Sequence, residues 1–93
     1  MATILIIDDN HAIGQALTVL LELHGLAALT AVSPAEGLLV LERENVDLVI
    51  QDMNFTGNDT SGAEGTELFG EIRRRYPDLP IILLTAWTHL DHA

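Results

Sequence analysis

The chain has 93 residues, with fourteen Asp or Glu against four basic residues, for a formal net charge of −10. All four bases are arginine (Arg43, Arg73, Arg74 and Arg75), and so acidic a chain disfavours nucleic-acid backbones and anionic membrane surfaces. No apolar run reaches the roughly 20 residues of a membrane span, no basic segment precedes the first apolar run, and the absence of cysteine removes disulfides, zinc thiolates and thiol nucleophiles.

These exclusions point to a cytoplasmic protein. With 48% hydrophobic residues, residues 1–93 read as a single domain with its own core. Thr3–Ile7 is an apolar, β-branched run without alternation, the pattern of a strand buried on both faces of a parallel sheet. It stops at Asp8-Asp9-Asn10, and Asn10 suits the N-cap of a helix over residues 11–24. Ile13, Leu17, Leu20 and Leu21 recur there at helical spacing, and Gly25 follows where a terminating glycine belongs.

Leu26–Val32 reads as a second strand. Ser33, Pro34 and Glu36 then supply an N-cap, a proline at N1 and an acid at N3, a capping box that opens a helix over 34–44 with Leu38, Leu41 and Ala35 on one face. Val46–Ile50 is a third apolar strand, ended by Gln51-Asp52. Residues 53–62 are turn-formers and predict a long loop. Residues 63–76 return to helical spacing through Leu68, Phe69, Ile72 and Tyr76, with the arginine triplet as a solvated helix end that suits the dipole. Ile81–Leu84 is a fourth strand ending at Thr85, and Ala86–Ala93 begin another helix. The order β-α-β-α-β-α-β predicts an α/β doubly wound parallel sheet with right-handed crossovers.

In such sheets functional groups gather at the carboxyl ends of strands. Asp8-Asp9 end the first strand, Asp52 the third and Thr85 the fourth. With the first strand central and the third and fourth beside it in turn, the three carboxylates and the hydroxyl converge in one cleft. Carboxylates at close range either raise one pKa or recruit a cation, and Mg2+ suits a site of one or two carboxylates, a carbonyl and waters. A remaining carboxylate oxygen is then placed to attack a phosphoryl group. Asp52 is the candidate nucleophile, because its strand lies between the acid pair and Thr85, whose hydroxyl is placed to bind a phosphoryl oxygen.

Three segments carry a family resemblance: Ile-Leu-Ile-Ile-Asp-Asp-Asn at 4–10, Asp-Leu-Val-Ile-Gln-Asp-Met at 47–53 and Leu-Pro-Ile-Ile-Leu-Leu-Thr-Ala at 79–86. Across its whole length the chain resembles the receiver domain of two-component response regulators, which has a flavodoxin-like fold. The resemblance implies that Asp52 accepts phosphoryl from a sensor histidine kinase. It implies that Asp8 and Asp9 hold Mg2+ together with Asp52 and the main-chain carbonyl of Asn54, and that Thr85 is the switch hydroxyl. A receiver is a phosphoacceptor that assists its own phosphotransfer and dephosphorylation rather than a conventional enzyme.

Two departures from the family pattern stand out. The segment after Asp52 is long, no proline follows it, and Gly65 is the counterpart of the family's glycine; residues 52–62 resemble receivers attached to sigma-54-dependent transcriptional activators. The family also has five β/α units, whereas this sequence ends in the first residues of helix 4. Strand 5, helix 5 and the family's lysine are therefore expected to be lacking, and switching to be impaired. That leaves strand 4 as an apolar edge and predicts a homodimer through that edge or through exchange of the C-terminal segment. A non-catalytic dimerising interaction module is the alternative function.

Blander readings apply elsewhere. Asp8-Asp9 alone would suit a helix cap. His89 and His92 are spaced for a metal pair but read as terminal residues, and His11 and His24 flank a helix. Trp87, just past Thr85, is expected either to border the site or to cover the apolar edge, and the need for cover there favours the second. A haloacid-dehalogenase-like phosphatase also uses an aspartate after a strand. It needs a second aspartate where this chain has Asn54, and a lysine, of which the chain has none.

Overall fold

The computed structural model describes residues 1–53 and 63–84. Its elements are β1 (Thr3–Ile7), α1 (His11–Leu23), β2 (Ala27–Ala31), α2 (Pro34–Arg43), β3 (Leu48–Asp52), α3 (Ala63–Arg75) and β4 (Ile81–Leu84). The strands form one parallel sheet in the order β2-β1-β3-β4, so the first strand is central as the sequence predicts.

Local chemistry sets the element ends. Asn10 stands outside α1 in an extended conformation, and its side-chain oxygen accepts from the N–H groups of Ala12 and Ile13. At the other end Gly25 takes φ +78°, the left-handed region, and the N–H groups of Gly25 and Leu26 bond back to the carbonyls of Glu22 and Leu21, a Schellman termination. Ser33 caps α2 through its hydroxyl, which accepts from the Glu36 N–H at 3.1 Å. The Glu36 carboxylate reaches one residue further than a standard capping box and accepts from the Val32 N–H at 2.6 Å.

Two cores form because the sheet is buried on both faces. On one, Leu5, Ile7, Ala31 and Val49 meet Val40 and Leu41 of α2 and Leu68 and Ile72 of α3. On the other, Ile4, Ile6 and Ile50 meet Leu17 and Leu21 of α1. Helix α2 presses so near the sheet that a Cβ on Gly37 would lie 2.6 Å from Ile7 Cδ1.

Several local expectations are corrected. Ile13 and Leu20 are exposed rather than part of the buried face of α1, which is formed by Gly14, Leu17 and Leu21. Ala35 is also exposed, and α2 buries Gly37, Val40 and Leu41. The third strand lies two residues later than its apolar run suggests and includes Gln51 and Asp52, which pair in register with Leu83 and Leu84 of β4.

The arginine triplet is not simply solvated. Arg73 donates to the carbonyls of Pro77 and Leu79, at 2.8 and 2.9 Å, and lies over the Phe69 ring. Arg74 pairs with Glu71, and Arg75 bridges Glu71 and Glu42, which ties α3 to α2. No helix among the described residues is long and apolar enough to cross a membrane.

Candidate functional site

Two backbone ladders place the acids. The β1–β2 ladder runs one residue past β1, where the Asp8 N–H bonds the Ala31 carbonyl at 3.0 Å. The β3–β4 ladder likewise runs past β3, where the Met53 N–H bonds the Leu84 carbonyl at 3.0 Å. Since Ile7 is the register partner of Gln51, Asp8 and Asp52 follow side by side at the carboxyl ends of neighbouring central strands. Carboxylate oxygens of Asp8, Asp9 and Asp52 all lie within 4.8 Å of one another.

The three acids have different surroundings. Asp8 and Asp52 are buried, at 5% and 8% exposure, whereas Asp9 is open to solvent. Burial is the main cause that raises the Asp8 pKa above its ordinary 3.8; the Asn10 N–H, donated to Asp8 Oδ1 at 2.8 Å, opposes this, and the neighbouring Asp9 charge adds to it. That one Asn10 N–H also leads the chain into the α1 cap, so the turn that starts the helix is the turn that orients Asp8. A groove of about 580 Å³ opens between α1 and β2, with Asp8, His11, Thr18 and Thr30 on its walls.

The donor set fits a hard divalent cation. All three groups offer oxygen, two are withdrawn from water and one remains accessible, and all lie within 4.8 Å of one another, near enough to share one ion. The charge of Asp9 beside Asp8, which adds to the raised Asp8 pKa, is what a bound cation would offset.

Of the residues selected from sequence, Asp8, Asp9 and Asp52 come together. Asn54, Thr85, Trp87, His89 and His92 lie outside the described residues. His11 is the first residue of α1 and His24 its C-cap, with Nδ1 2.9 Å from the Leu20 carbonyl.

Sequence reasoning missed Gln51. Its side chain is fully buried, and its amide nitrogen donates to the Gly65 carbonyl of α3 at 2.6 Å. A parallel strand buried on both faces carries its residue before a terminal acid into one of the cores, and that signal marks Gln51 as a buried polar group.

The response regulator receiver domain family matches residues 4–93. The chain is 42% identical over 85 residues to the transcriptional regulatory protein GlrR of Escherichia coli K12, a match that takes in 91% of this chain and 18% of GlrR. It therefore spans about a fifth of the length of that curated relative. Among solved structures it is similar to the response regulator TrrA of Thermotoga maritima in complex with Mg2+ and beryllofluoride, at 38% identity and a TM-score of 0.82, covering 96% of this chain and 73% of that one. It is similar to TrrA also in its complex with the histidine kinase ThkA, at 38% identity and a TM-score of 0.81, covering 97% and 73%.

Proposed function

The chain belongs to the response regulator receiver domain family, and from that membership we propose that it accepts a phosphoryl group on Asp52 and relays the event to a transcriptional output. The observation that carries this reading is the convergence of the Asp8, Asp9 and Asp52 carboxylates within 4.8 Å at adjacent strand ends.

In the transfer, an Asp52 carboxylate oxygen attacks the phosphorus of a phosphohistidine on a sensor kinase. The P–N bond breaks as the P–O bond forms, and the imidazole leaves with the electron pair of the broken bond. Asp8, Asp9 and Asp52, with the Asn54 carbonyl, would hold Mg2+, which neutralises charge on the phosphoryl oxygens when bound. The hydroxyl of Thr85 binds a phosphoryl oxygen of the product. Water attack on the acyl phosphate returns the carboxylate, so the chain is a self-resetting phosphoacceptor rather than an enzyme acting on a separate substrate.

The kinase partner is supported by the ThkA–TrrA complex, Mg2+ by the TrrA complex with Mg2+ and beryllofluoride, and transcription by the likeness to GlrR. The loop's resemblance to receivers of sigma-54-dependent activators points the same way. In this reading residues 1–93 act as one domain in the cytoplasm, and the acidic surface makes no direct contact with nucleic acid. Incubation with labelled acetyl phosphate and Mg2+ tests the assignment: label on the wild type and none on Asp52→Asn is expected, and label persisting on Asp52→Asn refutes it.

One observation favours a second reading, a dimerising module. Among the described residues β4 is an edge of the sheet, and Ile82 and Leu83 are 49% and 41% exposed. Edge pairing between two copies would cover that strand; exchange of the C-terminal segment involves residues outside those described. Sedimentation showing only monomer at micromolar concentration removes this reading.

A further inference from the structure

The buried amide of Gln51 is not explained by the phosphoacceptor reading. It is fully inaccessible, between its register partners Ile7 and Leu83, one residue before Asp52. Successive strand side chains point to opposite faces, so Gln51 faces the α2/α3 core while Asp52 points away from it. Its Nε2 donates to the Gly65 carbonyl at 2.6 Å and lies 3.7 Å from Met53 Sδ. Its Oε1 is buried with no hydrogen-bond partner among the described residues.

A second observation falls on the same contact. A Cβ on Gly65 would lie 2.5 Å from both Cα and the carbonyl oxygen of Met53, so only glycine lets the first turn of α3 rest on the backbone of Met53. The missing side chain and the buried amide therefore act on the same contact, between the end of β3 and the first turn of α3, across the long segment after the acceptor.

Stability does not account for the amide. Gly65 is the third residue of α3, and its carbonyl has an intrahelical donor in the helical ladder. The unpartnered Oε1 is an uncompensated polar burial. A methionine of similar length would fill the space and bury no unpaired oxygen.

We propose that Gln51 is a positioning residue for the Asp52 site: by tying Gly65 of α3 to the end of β3 it fixes the strand end that carries Asp52, and it does so at the expense of stability. This rests on the reading of Asp52, Asp8 and Asp9 as the Mg2+ and phosphoryl site. Groups that orient a metal's ligands from behind commonly change affinity by tenfold or more when removed.

The test compares wild type, Gln51→Met and Asp52→Asn by Mg2+ titration calorimetry and thermal unfolding in EDTA. Gln51→Met is expected to bind Mg2+ about tenfold more weakly while its unfolding midpoint is unchanged or raised. A lowered midpoint with wild-type Mg2+ affinity overturns the inference and makes the amide a structural tie only. Wild type that binds no Mg2+, or binds it no better than Asp52→Asn, overturns the site assignment and this inference with it. If Gln51→Met does not fold, hydrogen exchange of the Gln51 side-chain amide in wild type decides. Linkage requires Mg2+ to slow that exchange if the two are coupled, and equal rates with and without Mg2+ overturn the proposal.

Discussion

Asp8 sits under two opposed demands. Burial and the charge of Asp9 disfavour its ionised form, while the Asn10 N–H favours it, and the balance raises its pKa. A carboxyl whose pKa is higher folded than unfolded stabilises the fold fully below its ordinary 3.8, and that contribution is lost as pH rises through the raised folded value. At neutral pH without metal, ionised Asp8 is therefore a net cost. Asp8→Asn keeps an oxygen for the Asn10 N–H and is expected to raise stability by roughly 1 kcal/mol at pH 7, with the gain shrinking towards pH 4. Urea denaturation in EDTA across that range measures it, and a gain that grows on acidification contradicts the sign.

Two glycines provide the other residue-scale contrast. A Cβ at Gly37 meets the Ile7 side chain, most closely its Cδ1, whereas one at Gly65 meets the backbone of Met53. A side chain can shift and a strand backbone cannot follow as easily. Gly65→Ala is thus expected to destabilise by roughly 2 kcal/mol. Gly37→Ala is expected to stay near neutral, because helix propensity offsets its milder crowding. Denaturant midpoints give the order directly, and the reverse order refutes the argument.

At the scale of elements, α1 shows why an apolar residue need not be a core residue. It carries more apolar side chains than one face can bury: Leu17 and Leu21 pack on the sheet, while Val19, Leu20 and Leu23 face outward. Leu17→Ala is expected to cost about 2 kcal/mol and Leu20→Ala well under 1 kcal/mol, as thermal unfolding of the two variants checks. Helical spacing alone put Leu17 and Leu20 on the same face, because a 3.6 period fixes relative angles but not which arc meets the sheet. Where caps and turn residues are explicit, at Asn10, Gly25, Ser33 and Pro34, element ends follow from sequence within a residue or two. Strand β3 was less legible, because hydrophobicity stops at Ile50 while the backbone ladder runs on through Gln51 to Asp52. The acids of the site were legible because a parallel sheet must put the ends of its central strands together. The Gln51–Gly65 bond was not, because it joins residues 14 apart across the segment between β3 and α3.

Over the whole molecule, the formal charge of −10 is spread across a chain with a radius of gyration of 13.2 Å. At physiological ionic strength, charges are screened over about 8 Å, so most of its acids scarcely sense one another. Among the described residues, the three carboxylates gathered within 4.8 Å are closer than any screening cloud, and two of them are buried. This difference separates two effects of added salt. NaCl relieves the diffuse repulsion in any acidic variant alike, whereas MgCl2 at the same ionic strength adds a term for occupation of one site. Ligand present at a hundredfold excess over its Kd stabilises the folded state by about 2.7 kcal/mol. Wild type should therefore unfold at a higher temperature in MgCl2 than in NaCl matched for ionic strength, and the increment should vanish in Asp9→Asn, which leaves the buried pair in place but removes the exposed ligand. Scanning calorimetry of both proteins in both salts measures the increment. An equal increment in Asp9→Asn would mean that Mg2+ acts through the general acidic surface, and the convergence of strand ends would then have no part in holding it.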